Sequence, residues 1–467
     1  MNSIYHWLEL IDSYLWGHFL AFALLGTGIF LTIRLRFVQF RFFVHGISCI
    51  SGKWDSPDEE GEITYFQALS TALSATIGTG NIAGVATAIA AGGPGAIFWM
   101  WITALLGMAT KFTCCMLAVR FREIGEKGVV AGGPMYYLDK GLGSKSLAVA
   151  FAIFTVIASF GIGNMVQANS IVDPFVHRCP AGYRFFVALG IGLLIATFVG
   201  IVIIGGIKRI AKFAEKIVPF MALVYVITAC VIIYLNADKI IDVFKMIVAN
   251  AFGIGAIGGG VAGYSVMKAI QFGVARGVFS NESGLGSAAI AHAAAKTKEP
   301  VREGAVAMLG PFIDTIIICS MTAFVILVSG IYDDGHLNGA ALSAAAFEKA
   351  LPGIGAHVVS FGLVLFAFTT IIGWSYYGDR SVYYLFGKKG DLSSKIYRWL
   401  YVIMIPVGAC IPLKFVWTLS DITNGLMAIP NLIGLIGLSG YVYKMIKEYE
   451  DKLPRIKSSL RDKKHVR

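Results

Sequence analysis

Charged residues are scarce in this chain of 467 residues, at 14%, whereas hydrophobic residues make up 57%. Soluble globular domains carry about 25% charged residues, so the composition excludes an ordinary soluble protein. No stretch of the sequence has the composition of a separate soluble domain. We therefore predict an all-α polytopic membrane protein that is embedded in a lipid bilayer.

Motifs for catalysis and for metal binding are also lacking. The seven cysteines show neither the spacing of metal ligands nor an even-numbered disulfide framework. No zinc-protease motif or nucleophile elbow occurs, and His292 has no obvious catalytic partner. We predict that the protein is not an enzyme. An intramembrane enzyme that uses Glu282 stays as the weaker of two rival hypotheses, and a passive channel is the other.

Two sequence features superficially suggest nucleotide or nucleic-acid binding, but neither supports it. Residues 78–84 superficially resemble a dinucleotide fingerprint, but no strand precedes them and no acidic residue follows about 20 positions later. The basic tail, residues 444–467, is explained more simply by a cytoplasmic segment beside the membrane. We expect no nucleic-acid partner.

Long apolar runs predict eleven transmembrane helices, because each run can cross about 30 Å of hydrocarbon. Most Lys and Arg residues between the runs lie on one side, which the positive-inside rule assigns to the cytoplasm. This predicts a multi-pass protein of the cell membrane with its N-terminus outside and its C-terminus inside. The runs fall near 14–33, 64–91, 96–118, 146–171, 183–205, 213–235, 252–295, 304–329, 355–386, 396–413 and 415–443.

Two of these runs are interrupted by glycine and polar residues, at 75–81 and at 279–287. Setting the first run aside, the interruptions fall in the first and the sixth of ten helices, so their surroundings have opposite orientations in the membrane. Such an arrangement is typical of transporters built from inverted repeats. We predict four regions: an N-terminal helix and linker (1–63), two five-helix repeats (64–236 and 237–443) and a basic tail (444–467).

The first interruption offers groups of opposite polarity. A half-helix that begins near Gly80 presents free amides at Thr79 and Gly80 and the positive end of a helix dipole, which suit a carboxylate. The half-helix that ends before it presents carbonyls around Ser74, Thr76 and Ile77, which suit a cation or an ammonium group. One break could therefore hold a zwitterion. A purely structural role, in which the glycines permit close helix packing, is the alternative.

Several blocks of sequence, spread from about residue 65 to 435, resemble the alanine-or-glycine:cation symporter family. The resemblance implies the leucine-transporter (LeuT) fold, a 5+5 inverted repeat, preceded by one extra helix. Ser283 departs from the pattern, since we expect alanine there. The matching blocks are ATIGTGNIAGVAT (75–87), GGPGA (92–96), AGGPMYY (131–137), RGVFSNESGLGSA (276–288), GWSYYG (373–378) and IPNL (429–432).

The resemblance also implies roles for particular residues. The substrate carboxylate would bind the backbone amides of Thr79 and Gly80. The amine of the substrate would contact the Thr76 carbonyl and the second break. A Na⁺ ion would be held by two adjacent hydroxyls and by nearby carbonyls, and uncharged oxygens suit such a hard cation. The predicted Na⁺ ligands are Ser74, Ile77, Phe366, Thr369 and Thr370. The alternative is that both threonines only bond to their own helix.

Further residues are expected to line the substrate site. Gln167 shares a helix face with Asn164, and it either contacts substrate or forms an interhelical hydrogen bond. Phe279 and Trp374 would wall the pocket for a small side chain. The complete predicted substrate set is Thr76, Gly78, Thr79, Gly80, Gln167, Phe279, Ser280, Asn281 and Trp374.

The connecting segments at 51–63 and 120–145 are expected to be linkers without chemistry, whereas 340–350 could form a short helix that caps the cavity. Charged residues within the spans are costly and usually functional or paired, and among them Glu282 could be a gate, a structural acceptor or a proton carrier. The others singled out here are Lys268, Arg276, Asp314, Asp379 and Arg380.

Together these features predict a secondary active symporter that imports alanine or glycine with Na⁺ as the coupling ion. An H⁺-coupled carrier of small amino acids is the alternative. The sequence leaves open the preference between alanine and glycine, the enantiomer, the stoichiometry and the oligomeric state.

Overall fold

A computed structural model describes residues 2–55, 59–125, 128–176, 179–254, 259–332, 337–387, 390–411 and 413–465. Most of these residues are helical, as the composition predicts. The described strands are Glu123–Ile124 and Val130–Ala131, which form one short antiparallel pair.

Seven of the described helices are long and apolar enough to cross a membrane, and an eighth span is a bent pair. The bent pair, Tyr65–Thr76 and Gly80–Gly92, turns by 56° at the first predicted break. The seven spans are Gly95–Arg120, Lys145–Val176, Ala181–Ile203, Gly206–Leu235, Pro300–Ser329, Gly355–Phe386 and Trp417–Gly437.

The three other predicted spans also fall on helices. They correspond to Ala21–Arg34, to Gly259–Asn281 with Ala288–His292, and to Gly390–Cys410. A polytopic helical membrane protein is therefore confirmed, whereas the number eleven stays a prediction.

Shorter helices complete the fold. A helical run precedes Ala21 and comprises Asn2–Tyr14, which we call the N-terminal helix, and Leu15–Leu20. The predicted short helix at 340–350 forms as Gly339–Ala350. The remaining short helices are Val38–Arg41, Phe43–Ile50, Pro134–Tyr136, Tyr137–Gly141, Ala237–Lys239 and Ile240–Ala251, and the C-terminal helix is Ser439–His465.

Local sequence explains where the first broken helix begins and how it packs. Thr64 accepts a hydrogen bond from the Gln67 amide (3.2 Å), and the Gln67 side chain accepts one from the Thr64 amide (3.1 Å). This capping box satisfies two amides that the helix leaves free. Farther along, Gly373 lets the long helix Gly355–Phe386 approach closely, because a Cβ at Gly373 would lie 2.7 Å from that of Ala75.

Many large apolar side chains point outward from the bundle, including Phe185, Leu194 and Phe198, each more than half exposed. A water-soluble protein rarely exposes so large an apolar surface. In a bilayer this surface contacts acyl chains, whereas the polar side chains gather inside.

The bundle has two ends that matter for the site. We call the end that carries residues 59–63, Arg122 and the segment after His292 the linker end. We call the end that carries the N-terminal helix, Arg276 and the helix Gly339–Ala350 the lid end. Both breaks lie between these ends and touch, since a Cβ at Gly80 would lie 3.1 Å from the Ser280 Cα atom.

Candidate substrate and cation site

The first break is a short unwound stretch between two half-helices. The first half-helix ends at Thr76, Ile77 is extended (φ −74°, ψ 94°), and the helix resumes at Gly80. The Asn81 side-chain oxygen accepts a hydrogen bond from the Gly78 amide (2.9 Å), which fixes the turn. Thr79 is fully buried, and its hydroxyl oxygen has no hydrogen-bond partner in the described structure. A buried hydroxyl of this kind is well suited to a polar ligand.

The second break is held by its neighbours. The helix ends at Asn281, and Gly284 and Gly286 follow with φ values of 89° and 93°, a backbone region that favours glycine. Asn281 accepts a hydrogen bond from the Ser283 amide (2.9 Å), and Asn431 donates to the Gly284 carbonyl (2.8 Å). This break is therefore a rigid turn whose polar groups are largely satisfied by the protein.

A buried carboxylate joins the two breaks. Asp314 is fully buried and accepts hydrogen bonds from the side-chain amide of Asn81 (2.7 Å), the Ser280 hydroxyl (2.8 Å) and the Thr315 hydroxyl (2.8 Å). Asn281 also donates to the Thr315 hydroxyl, at 3.0 Å. Such a network fixes the first break relative to the second.

This role of Asp314 and Asn81 goes beyond what the sequence predicts. From the sequence Asp314 is only a charged residue within a span, and Asn81 has no predicted function. Asp314 is nevertheless the single carboxylate of the predicted run 304–329, and Asn81 directly follows the glycine-rich stretch. These two positions are the features of the sequence that could have indicated the contact between Asp314 and Asn81.

Four oxygen atoms predicted as cation ligands converge beside the first break. The hydroxyls of Thr369 and Thr370 both donate to the Phe366 carbonyl, each at 2.9 Å, and Thr370 also donates to the Ile77 carbonyl at 3.3 Å. The two threonines thus bond to their own helix, as the structural alternative expects, and Thr370 reaches the break as well. Ser74 is buried one turn earlier, where its hydroxyl donates to the Thr71 carbonyl.

The predicted substrate residues lie around the same point. Gln167 accepts a long hydrogen bond from the Thr79 amide (3.5 Å) and donates to the Ile162 carbonyl (3.1 Å). A Cβ at Gly78 would lie 2.5 Å from the Thr370 hydroxyl oxygen, so only glycine permits this close approach. Thr76 is buried, and its hydroxyl bonds back to the carbonyls of its own helix.

The two predicted aromatic walls differ in their surroundings. Trp374 is 1% exposed and packs closely on Gly163, where an added Cβ would lie 2.3 Å from the Trp374 Cβ. Phe279 stacks on Trp417, with ring centroids 5.2 Å apart. Trp374 therefore lies against the segment Gly161–Met165, just before Gln167, whereas Phe279 lies where the broken helices meet the lid end. That these rings wall the substrate pocket stays a prediction.

The lid end is closed by side-chain contacts. Arg276 lies over the rings of Phe279 (5.6 Å) and Trp417 (5.9 Å) and donates to the Asp421 carboxylate at 3.3 Å. A cavity of about 700 Å³ opens beyond them and is lined in part by Thr87, Arg276 and Trp417. The helix Gly339–Ala350 also lines it, and its Ser343 hydroxyl donates to the Ile82 carbonyl (2.9 Å).

The linker end corrects one expectation, because the connecting segments are not plain linkers. Arg122 donates to the carbonyls of Ala293 (2.8 Å) and Ala295 (2.6 Å). It also donates to the carbonyls of Glu60 (2.7 Å) and Thr297 (2.8 Å). The side chain thereby ties the segment before the first broken helix to the segment after the second. An arginine in a polar segment gives no sign of this in the sequence.

The expectation that His292 lacks a partner is also corrected. Its Nδ1 atom lies 2.5 Å from the Glu303 Oε1 atom, and both side chains are fully buried. Asp379 and Arg380 pair with each other, and Arg398 joins them at 3.0 Å. All seven cysteines are free thiols.

Comparisons with known proteins agree with this architecture. The family model described as the sodium:alanine symporter family matches residues 1–463. The sodium/alanine symporter AgcS of Methanococcus maripaludis is 47% identical over 94% of this chain and 96% of its own length. The probable sodium/glutamine symporter GlnT of Bacillus subtilis is 37% identical over 95% of this chain and 90% of its own.

A solved structure shows the same fold. The crystal structure of MhsT in complex with L-phenylalanine superposes with a TM-score of 0.57, covering 80% of this chain and 89% of that chain, at 14% sequence identity. This likeness supports the LeuT-like fold. With a family model matched along almost its whole length, the chain belongs to the sodium:alanine symporter family.

Proposed function

We propose that the protein is a Na⁺-coupled symporter that imports alanine or glycine by alternating access. One observation carries the proposal: four oxygens, from Thr369, Thr370, Phe366 and Ile77, meet beside an unwound stretch, and a new half-helix begins directly after it at Gly80. A cation and a carboxylate can therefore bind at neighbouring positions. The names of the relatives AgcS and GlnT, which refer to sodium with alanine and with glutamine, support the same class of activity.

In this proposal the substrate carboxylate binds the amides of Thr79 and Gly80 at the start of a half-helix, where the helix dipole favours an anion. The unpartnered Thr79 hydroxyl is available as a further donor. The substrate amine faces the Thr76 carbonyl, with Ser280 and Asn281 of the second break nearby. Gln167 supports the amide of Thr79.

The proposed site favours a small side chain. Gly80 packs closely on the second break, since an added Cβ would lie 3.2 Å from the Phe279 ring and 3.3 Å from the Ser280 Cβ. Little room remains for a bulky substrate between these surfaces. Gly78 meets Thr370 in the same way, so the unwound chain can touch the helix that carries the hydroxyls.

Na⁺ is the proposed coupling ion, held by the hydroxyls of Thr369 and Thr370 and the carbonyls of Ser74, Ile77 and Phe366. Neutral oxygens in a confined site are suited to a hard cation. At 100 mV the entry of one positive charge supplies about 2.3 kcal/mol, and a tenfold Na⁺ gradient adds about 1.4 kcal/mol. One Na⁺ is therefore enough to concentrate an uncharged zwitterion.

The proposed topology follows from the charge distribution. We place the linker end and the basic tail in the cytoplasm and the N-terminus and lid end outside. Eleven spans would then comprise one extra helix and two inverted repeats, 64–236 and 237–443. No covalent chemistry is required, which agrees with membership of a transporter family.

Uptake into proteoliposomes tests the proposal. Labelled alanine and glycine are offered with an inward Na⁺ gradient, with equal Na⁺ on both sides, and with a pH gradient in the absence of Na⁺. We expect accumulation only under the Na⁺ gradient. Equal uptake under all conditions would indicate a channel, and accumulation driven by the pH gradient alone would establish the H⁺-coupled alternative.

A matched pair of variants tests the cation site. Thr370→Ala removes a hydroxyl that reaches Ile77, whereas Thr113→Ala removes an equally buried hydroxyl that bonds only within its own helix, to Ala109. We expect Thr370→Ala to raise the Na⁺ concentration for half-maximal uptake by about tenfold, because a bond to a charged group is worth about 1.5–3 kcal/mol. Unchanged Na⁺ activation in Thr370→Ala would remove this residue from the site.

A further inference from the structure

The N-terminal helix carries a carboxylate to the lid end. Asp12 lines a cavity of about 210 Å³ together with Trp16, Arg276 and Asp421. Trp16 is buried, and its indole N–H donates to the Asp421 carbonyl at 3.0 Å. The helical run that precedes Ala21 is therefore fixed to the same turn of the helix Leu413–Gly437 that holds Asp421. Asp12 and Asp421 therefore lie in the same wall of this cavity.

Two buried atoms of opposite charge are left without partners on the two sides of this cavity. Asp12 Oδ1 accepts no hydrogen bond, and Arg276 Nε donates none, among the described residues. Arg276 uses one terminal nitrogen for Asp421, at 3.3 Å, although a guanidinium carries five donors. The existing ion pair is thus long and leaves part of the guanidinium available.

Opening the lid end has an electrostatic cost. Arg276 projects from the second broken helix, one of the elements that alternating access must move, and its side chain is 20% exposed. Separating a partly buried guanidinium from the carboxylate that it pairs with is strongly unfavourable, because it leaves an uncompensated charge. A second carboxylate on the same wall removes that cost, because the guanidinium can pass from one acceptor to the other without losing a partner.

We propose that Asp12 is the second acceptor of the outer gate: Arg276 pairs with Asp421 when the lid end is closed and with Asp12 when it opens outward. The extra helix that precedes the ten-helix core is then a positioning element for the gate. Asp12 acts through Arg276 and does not touch substrate. This inference rests on the proposed function, since it assumes alternating access.

Cysteine accessibility tests the proposal. The parent protein for this test is a variant that carries Thr87→Cys as the probe. Thr87 lines the cavity of about 700 Å³ at the lid end, which we call the outer cavity. The three cysteines that are not buried, Cys179, Cys230 and Cys410, are replaced by serine. A membrane-impermeant methanethiosulfonate reagent modifies the probe in proteoliposomes with Na⁺ alone and with Na⁺ plus alanine. We expect Na⁺ alone to speed modification in the parent and alanine to slow it.

In Na⁺ alone, Asp12→Asn and Asp12→Ala should each slow modification by about fivefold, a typical coupling for two linked sites. Asp12→Glu, which keeps the carboxylate, should restore the parent rate. Asp173→Asn removes another carboxylate that lines the outer cavity, and we expect no change from it. The proposal is overturned by an unchanged rate in the neutral Asp12 variants, or by an equal slowing in Asp173→Asn.

A cross-linking measurement does not depend on how well the neutral variants fold. Ser13→Cys combined with Ala275→Cys, which line the same cavity and leave Asp12 and Arg276 in place, should form a disulfide faster in Na⁺ alone than in Na⁺ plus alanine, and the opposite order contradicts the proposal. Failure of the proposed function looks different from either result. It would appear as a parent probe whose modification does not respond to Na⁺ or to alanine.

Discussion

The two ends of the bundle are closed by different means. At the linker end the backbone pairs with itself: the Glu62 amide donates to the Ala294 carbonyl (2.8 Å), and the Lys296 amide donates to the Ile63 carbonyl (2.7 Å). We call this backbone pairing the seam, and Arg122 reinforces it through hydrogen bonds to four carbonyls. At the lid end, one long ion pair between Arg276 and Asp421 lies over a pair of stacked rings.

The difference shows which barrier opens more easily. Hydrogen bonds from a charged group are worth about 1.5–3 kcal/mol each, and Arg122 supplies four of them to the seam. At the lid end a single ion pair separates, and under the proposal above its guanidinium then passes to Asp12. The barrier at the lid end, which consists of this ion pair and the stacked rings beneath it, is thin and therefore needs less free energy to open than the seam. Under the proposed topology the thin barrier faces the outside, where substrate arrives.

The largest effect should come from Arg122→Ala, which removes all four bonds of this side chain to the seam. We expect the initial rate of Na⁺-driven alanine uptake to fall by about tenfold or more, because the lost bonds leave carbonyls unpaired at a closure that must form in every cycle. Proteoliposome uptake measures this rate.

The neighbouring Arg120→Ala is the matched control for that variant. Arg120 donates to the Tyr441 hydroxyl at 2.7 Å near the surface and does not contact the seam. Equal losses of uptake in the two variants would show that the seam contributes nothing beyond the basic charge of this segment.

An intermediate effect is expected from Phe279→Ala at the lid end. The substitution removes the stacking on Trp417, which is worth about 0.5–1.5 kcal/mol beyond the buried area. We expect the KM for alanine to rise several-fold, about threefold to tenfold, with a smaller change in kcat, because the bound substrate is less well enclosed.

Phe185→Ala, which removes an outward-facing ring that is 57% exposed, serves as the control. Kinetics of uptake over a range of alanine concentrations separate the two constants. A fall in kcat with an unchanged KM would mean that Phe279 is not part of the barrier over the site.

The smallest effect concerns Glu348 at the lid end. Backbone hydrogen bonds from Ala356 (3.0 Å) and Gly353 (2.6 Å) hold the pKa of this carboxyl below its ordinary value of 4.5. A lowered pKa in the folded state means that the stabilisation is complete above about pH 4.5 and is lost as the pH falls through the lowered value.

Glu348→Gln should therefore lower the Tm slightly at pH 7, and the difference from the parent should disappear in acid below the lowered pKa. Thermal unfolding in detergent at several pH values measures this. A difference that stays constant over the whole acid range in which the protein stays folded would show that the carboxylate charge does not act there.

The parts of the fold that hydropathy and glycine encode could be predicted from the sequence. The break at Gly78–Gly80 is visible because glycine and polar residues interrupt an apolar run, and the break after Asn281 is visible for the same reason. Thr369 and Thr370 were found through a family resemblance, since two adjacent threonines in an apolar helix carry no signal by themselves.

Side-chain contacts across the bundle could not be predicted in this way. Asp314 meets Asn81, Ser280 and Thr315 only because distant helices cross at one point, and no periodicity along the chain records that crossing. The partnership of His292 with Glu303 and the role of Arg122 depend on folded geometry to the same degree. Each acts on groups that are far away in the sequence or on backbone atoms.

The seam at the linker end has a consequence for how the protein tolerates sequence change. Backbone pairing does not depend on which side chains the paired residues carry, so a position such as Lys296 can vary without altering it. Two positions are different. Gly61 has φ 144°, and an added Cβ would lie 2.4 Å from the Ala295 carbonyl oxygen, while Arg122 supplies the reinforcing donors. Mutational robustness at this closure is therefore broad, with its sensitivity concentrated in one glycine and one arginine.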